Sequence, residues 1–163
     1  MKLDFSQKYA VRPLTAGDVD KILALCAENE QFYRYHPPLA TRESVLEDMT
    51  ALPPGKNAAD KHYLGFFDGK TLVAVLDLIL DYPQEGTAYL GFFMTKKATQ
   101  GRGIGSALIG ELLDELRKAS CKKVRLAVDR GNPQSKAFWE KNGFALTPKG
   151  FLVSNQLILS IID

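Results

Sequence analysis

Apolar and polar positions along this chain follow two rhythms. Across 16–32, AGDVDKILALCAENEQF, residues Val19, Ile22, Leu23, Leu25 and Cys26 gather on one side at helical spacing, with charged residues between them. YRYHPPLA (33–40) breaks that helix, because Pro37 and Pro38 cannot continue it. Thr41, followed three residues later by Ser44, starts a second helix that reaches about Ala51 and ends at Pro53–Pro54–Gly55. The strand rhythm is carried by YAVRPLT (9–15) and by three apolar runs, KHYLGFFDG (61–69), KTLVAVLDLILDY (70–82) and TAYLGFFMT (87–95). Asp68–Gly69 and PQEG (83–86) turn the chain between those runs, which predicts an antiparallel meander.

Beyond residue 102 the rhythms alternate. A helix over 103–119 places Ile104, Ala107, Leu108, Leu112, Leu116 and Ala119 on one stripe, with Glu111, Asp114, Glu115, Arg117 and Lys118 on the wet side. A strand (KKVRLAVD, 122–129), a helix (NPQSKAFWEKNG, 132–143) and a strand or strands over 144–162 follow. Two or three strand–helix–strand crossings predict parallel pairing in this half. The expected fold class is α/β: a central mixed β-sheet, antiparallel in its N-terminal meander and partly parallel in its C-terminal half, flanked by helices.

The length of 163 residues suits one domain over 1–163 with a single sizeable core. A formal net charge of +2 is too small for nucleic-acid binding by bulk electrostatics. Cys26 and Cys121 lie far apart inside apolar patterns, which predicts two reduced, buried thiols, and their spacing suits neither a disulfide nor a metal site. His36 and His62 show no ligand spacing and read as surface or hydrogen-bonded histidines. The start, MKLDFSQKYA, has no apolar signal core, and no stretch is long enough to span a bilayer. The expectation is a cytoplasmic protein with no membrane partner. The last apolar run, FLVSNQLILSII (151–162), is suited to a contact between two copies of the chain.

The most informative stretch is TKKATQGRGIGSALIGELLDEL (95–116), where Gly101, Gly103 and Gly105 crowd the start of a well-specified helix. Glycine weakens a helix, so its use here points to a need for bare backbone. The first turn of a helix carries amide hydrogens without internal partners, together with the positive end of the dipole, and this is a natural site for an anion. Lys96, Lys97 and Arg102 add positive charge. A phosphate-bearing ligand follows as the expectation. The P-loop pattern fails, because Gly105 is followed by Ser106–Ala107, and so does the dinucleotide pattern, because the spacing is G-x-G-x-G.

Gln100–Gly101–Arg102–Gly103–Ile104–Gly105 resembles the Q/R-x-x-G-x-G/A signature of the GNAT family of N-acetyltransferases. DRGNPQSKAFWEKNGF (129–144), about thirty residues on, resembles that family's N-x-x-(S/A)-x-x-(F/L)-(Y/W)-x-x-x-G-F segment. The order of elements is similar from about Tyr9 to Asp163. The resemblance implies acetyl-CoA as co-substrate, no metal, and a small-molecule or peptide amine as acceptor. It implies that the strand before the loop splays from its neighbour, so that Phe93, Met94 and Thr95 pair with the pantetheine amides. The amides from Gly101 to Ser106 hold the pyrophosphate, with Gln100 opening the signature. Asn132 hydrogen-bonds pantetheine, and Ser135, Lys136, Phe138 and Trp139 lie along the same arm.

Acetyl transfer to an amine needs the amine to lose a proton, the thioester carbonyl to be polarised and the leaving thiolate to be stabilised or protonated. Many members of the family carry a glutamate base where this chain has Tyr89, and a tyrosine acid where it has Trp139. An indole N–H donates a hydrogen bond but is no proton donor at neutral pH. Three readings stand for Trp139: it packs; it walls the channel while water or substrate supplies the proton; or a tyrosine such as Tyr89 replaces it. For the base, Asp77, Asp81, Glu85, Glu30 and Glu28 are candidates. Asp77 is foremost, because it sets a carboxylate among the aliphatic residues of LVAVLDLIL. A water chain is the alternative. The acceptor site is expected between ENEQFYRYHPP (28–38) and DYPQEG (81–86), with Glu30, Tyr33, Asp81 and Tyr82 as its acids and aromatics. Two other readings are a catalytically weak acyl-CoA-binding sensor and an enzyme for a longer acyl donor.

Overall fold

A single sheet runs through the computed structural model of the chain, which describes residues 1–147 and 156–162. Its strands are β1 (Ala10–Pro13), β2 (Lys61–Asp68), β3 (Thr71–Ile79), β4 (Thr87–Thr95), β5 (Lys123–Asp129), β6 (Ala145–Leu146) and β7 (Gln156–Ile162). They lie in the order β1-β2-β3-β4-β5-β7-β6. The helices are α1 (Val19–Ala27), α2 (Glu30–Tyr35), α3 (Arg42–Thr50), α4 (Ile104–Lys118) and α5 (Pro133–Lys141). β2 to β4 form the expected antiparallel meander, and β1 pairs antiparallel with β2 at its edge. Part of the run at 144–162, and part of the run at 151–162 considered for a contact between copies, lie outside the described residues. β7 sits inside the sheet between β5 and β6, where Ile158 and Leu159 are buried.

Each sheet face carries its own core. On one, Leu64, Phe66, Leu76, Leu78 and Leu90 pack with Leu108, Leu112 and Leu116 of α4. On the other, Tyr63, Val75 and Met94 pack with Val19, Ile22, Leu25 and Cys26 of α1 and with Val45 of α3. The apolar stripe of α4 is rotated from the one expected. Ile109 and Leu113 are buried, whereas Ala107 and Ala119 are exposed. Glu115 leaves the wet side because its carboxylate accepts the backbone amide of Lys2 at 2.7 Å, which makes burial tolerable.

Two expectations need correction. The helix foreseen over 16–32 is three pieces: a 3-10 turn at Ala16–Asp18, then α1, then α2. The break after α1 comes at Asn29, whose side chain donates to Leu25 O at 2.9 Å and to Thr95 O at 3.2 Å and so ties the chain to β4. α2 then runs on to Tyr35 before the prolines stop it. Among the described strands, parallel pairing is limited to β4 with β5. The chain leaving α5 does run in the direction of β5, but β7 returns antiparallel between β5 and β6 and takes the hydrogen bonds.

That one parallel pair is itself incomplete, and its incompleteness creates the site. β4 and β5 pair only from Thr87↔Lys123 to Leu90↔Leu126. Beyond these residues β4 stays with β3 as far as Thr95, and β5 stays with β7 as far as Asp129. The two strands part as a wedge. A bulge marks the point of parting, since Leu78 faces Leu90 and Asp77 faces Phe92, which leaves Gly91 as the extra residue.

Candidate active site

A cavity of about 430 Å³ fills the wedge. Its walls are the free edges of β4 (from Leu90 to Thr95) and β5 (from Leu126 to Asp129), the start of α4, one side of α5, and the α1–α2 junction with His36. Residues far apart in sequence therefore meet around one space.

The glycine-rich turn lies at one end of it. Gly101 and Gly103 have φ values of 69° and 77°, a region that favours glycine. Gly103 is the N-cap of α4 and offers no side-chain cap. The first helical bond runs from Ala107 N to Gly103 O, so the amides of residues 104–106 have no partner within the helix. A Cβ on Gly101 or Gly103 would meet nothing within 4 Å, so the approach to these amides is open. Gly105 serves packing instead: a Cβ there would stand 3.2 Å from the Phe138 ring.

Gln100 does not reach into the cavity as a free group. Its Nε2 donates to Asn29 Oδ1 at 2.7 Å and to Thr95 O at 3.0 Å. Glu28 Oε2 accepts the amide of Lys97 at 3.1 Å. The loop is thus tied to the α1–α2 junction. On the opposite wall Asn132 caps α5, its Oδ1 accepting from Ser135 N at 3.1 Å, with Pro133 at the first helical position. Trp139 is buried in an aromatic cluster, its ring centroid 6.0 Å from Phe93, 5.0 Å from Phe138 and 5.1 Å from Phe144.

Of the residues singled out in the sequence, Phe93, Met94, Thr95, Gln100, Gly101, Gly103, Gly105, Ser106, Asn132, Ser135, Phe138 and Trp139 all line the cavity. Glu28, Lys97 and His36 line it as well, and the remaining site candidates do not. Arg102 is exposed, Ile104 packs on the core, and Lys136 pairs with Glu140 at 2.8 Å on the outer side of α5. Asp77 is held by the buried Lys61, whose Nζ donates to Oδ2 at 3.1 Å and stands 2.9 Å from Oδ1. Burial raises the Asp77 carboxyl above its ordinary value, and Lys61 opposes that rise. Tyr89 lies in the paired part of β4, edge-on to Tyr82 at 5.7 Å, and burial pushes its phenol up. Tyr33 is half-buried and hydrogen-bonded with Cys26, Glu30 is exposed, and Asp81 Oδ1 accepts Gly86 N at 2.7 Å, shaping the turn before β4. Both cysteines are free, Cys26 buried and Cys121 half-buried.

Sequence reasoning missed one pair on the cavity wall. His36 Nδ1 lies 3.1 Å and 3.0 Å from the two carboxylate oxygens of Asp129. No local signal joins them, because they are 93 residues apart.

Among the described strands the one parallel pair parts over a cavity that has an uncapped helix start at one end. The chain belongs to the Acetyltransferase (GNAT) family, whose sequence profile matches residues 23–144. No curated protein matches the chain. Among solved structures it is similar to an acetyltransferase from Thermus thermophilus, at 21% identity, with 100% of each chain covered and a TM-score of 0.81. It is similar to the PaiA N-acetyltransferase from Thermoplasma acidophilum in complex with coenzyme A, at 20% identity, 95% and 99% coverage and a TM-score of 0.72. A spermidine N-acetyltransferase chimera from Vibrio cholerae and hSSAT matches at 20% identity, 96% coverage of each chain and a TM-score of 0.71. At these identities the likeness is one of fold. Among the described residues, no helix is long and apolar enough to cross a membrane, and no group of His, Cys, Asp and Glu is arranged to hold a metal ion.

Proposed function

We propose that the protein moves an acetyl group from acetyl-CoA to a primary amine by direct attack within a ternary complex. The observation that carries this reading is the parting of β4 from β5 next to the uncapped start of α4. A long donor with a diphosphate needs amide donors for its anionic part and an open strand edge for its arm. The bare amides of residues 104–106 and the positive φ glycines suit the diphosphate. The free edge of β4 at Phe93 and Met94 suits the pantetheine amides, whereas Thr95 O already accepts from Asn29 and Gln100. Asn132 spends Oδ1 on its cap, so its contact with pantetheine comes from Nδ2. Catalysis rests on positioning, since no enzyme nucleophile is required. The presence of a neighbour solved with coenzyme A, and of another that is a spermidine N-acetyltransferase, supports donor and acceptor class.

The test is coenzyme A binding by calorimetry, compared between the wild type and Gly103→Glu. The glutamate has open space but meets strain of about 1–2 kcal/mol at the positive φ. It sets a carboxylate against the diphosphate, so the folded variant loses at least about 100-fold in affinity, roughly 2.7 kcal/mol. Retained affinity in a folded variant refutes the reading. The engagement of Asp77 by Lys61 favours a second reading, a catalytically weak acyl-CoA sensor. Coenzyme A binding without turnover on any amine selects it.

A further inference from the structure

We infer that His36, oriented by Asp129, is the base that takes the proton from the acceptor amine; this rests on the acetyl-transfer reading above. Both residues line the cavity, as do Gly91 and Phe92 at the point where the strands part. The His36 ring lies 5.4 Å from Phe32, which in turn lies 6.0 Å from Phe92. Asp129 ends β5 and is the more buried partner, its side chain 11% exposed against 50% for His36. Gln156 of β7 donates to Asp129 Oδ1 at 3.2 Å and helps to fix the carboxylate.

A carboxylate only accepts hydrogen bonds, so the neutral imidazole carries its hydrogen on Nδ1 and keeps the Nε2 lone pair. A base whose second nitrogen is held by a third group is the arrangement that acyl transfer uses elsewhere to hold a ring in its working tautomer. Three of the five carboxylates first considered for this task are engaged, Asp77 with Lys61, Glu28 with the amide of Lys97, and Asp81 with the amide of Gly86, while Glu30 and Glu85 are exposed and do not line the cavity. Asp129 on β5 stands against the ring, and Asp48 on α3 interacts with it electrostatically.

In the transfer step, one N–H bond of the ammonium breaks and its proton passes to His36 Nε2, giving an imidazolium paired with Asp129. The freed lone pair forms the C–N bond as the thioester C–S bond breaks. Of the two hydrogens left on nitrogen, one stays in the amide and the other goes to the thiolate. The proton on His36 then leaves to water through the exposed half of the ring.

Two measurements test this on the full chain. The first needs no acceptor: nitrogen–proton correlation spectra of the histidine rings, assigned with His36→Gln. The neutral His36 ring is expected to be protonated on Nδ1, and Asp129→Asn is expected to redistribute that proton. A neutral ring protonated on Nε2 in the wild type overturns the proposal. The second is acetylation of a fixed panel (spermidine, tyramine and an alanine-terminated hexapeptide) alongside coenzyme A calorimetry. His36→Gln is expected to keep coenzyme A affinity while kcat falls about 10²-fold or more and the acid limb of the pH–rate profile disappears. Asp129→Asn is expected to lose about 10-fold with the limb retained. Unchanged kcat in His36→Gln, or a loss seen only as weaker coenzyme A binding, overturns the proposal while leaving acetyl transfer standing. A wild type that binds no coenzyme A, or acetylates none of the panel, removes the acetyl-transfer reading and this one with it.

Discussion

Gly91 and Asp77 touch across β4 and β3, so that a Cβ added to Gly91 would stand 2.8 Å from Asp77 Oδ2. The close approach lets the extra residue of the bulge sit beside the Asp77–Lys61 ion pair at the place where β4 turns away from β5. Gly91→Ala forces either the strand or the ion pair to shift. An overpacked site of this kind costs about 1–3 kcal/mol. Urea denaturation is expected to show that loss, and a midpoint equal to wild type would mean that the Asp77 side chain yields freely.

Asp18 governs the acid limb of stability. Its two oxygens accept from Arg12 at 2.7 Å and 2.8 Å, and one also takes the Thr15 amide at 3.0 Å. The Arg12 guanidinium holds the Asp18 carboxyl well below the usual carboxylate range. The unfolded chain therefore binds this proton more readily than the folded one. The contribution is present above the ordinary value of 3.8 and is lost as pH falls through the lower folded value. Asp18→Asn is expected to cost about 1–2 kcal/mol at neutral pH, the half-exposed Arg12 limiting the effect. Its stability is expected to change less between pH 5 and pH 2 than that of wild type, as followed by thermal melts.

Gln100 braces the loop from within. Gln100→Ala leaves Asn29 Oδ1 and Thr95 O each short of a donor and is expected to cost about 1–2 kcal/mol. Amide exchange over residues 96–103 should quicken. If exchange quickens nowhere in that loop, the bond to Asn29 is not what holds it.

Trp139 supports the wall with its bulk. Trp139→Ala removes the centre of the aromatic cluster and is expected to cost about 3–5 kcal/mol. Trp139→Phe keeps a ring there. Since an indole supplies no proton, kcat in Trp139→Phe is expected to stay within about 3-fold of wild type, well short of the 10²-fold or greater loss expected on removing a proton donor. A loss of that size would assign the indole N–H a part in the reaction.

What the sequence determined by itself is whatever neighbouring residues decide among themselves. Thr41 and Ser44 form the reciprocal cap that starts α3, and Pro37 stands just past the end of α2. The glycines at 101 and 103 announce backbone that only glycine adopts easily, and β4 spans Thr87–Thr95, the run read from its apolar pattern. Tertiary structure alone decided the rest. Asn29 breaks a helix by bonding to Thr95, 66 residues away, and Lys2 makes room for a buried Glu115. Asp77 interrupts an aliphatic strand and reads as an available base until Lys61 is seen to hold it. His36 carries no pattern of its own until folding brings Asp129 to its ring. Periodicity records which face of an element is apolar, whereas charges and hydrogen-bond partners are chosen by the path of the chain in space.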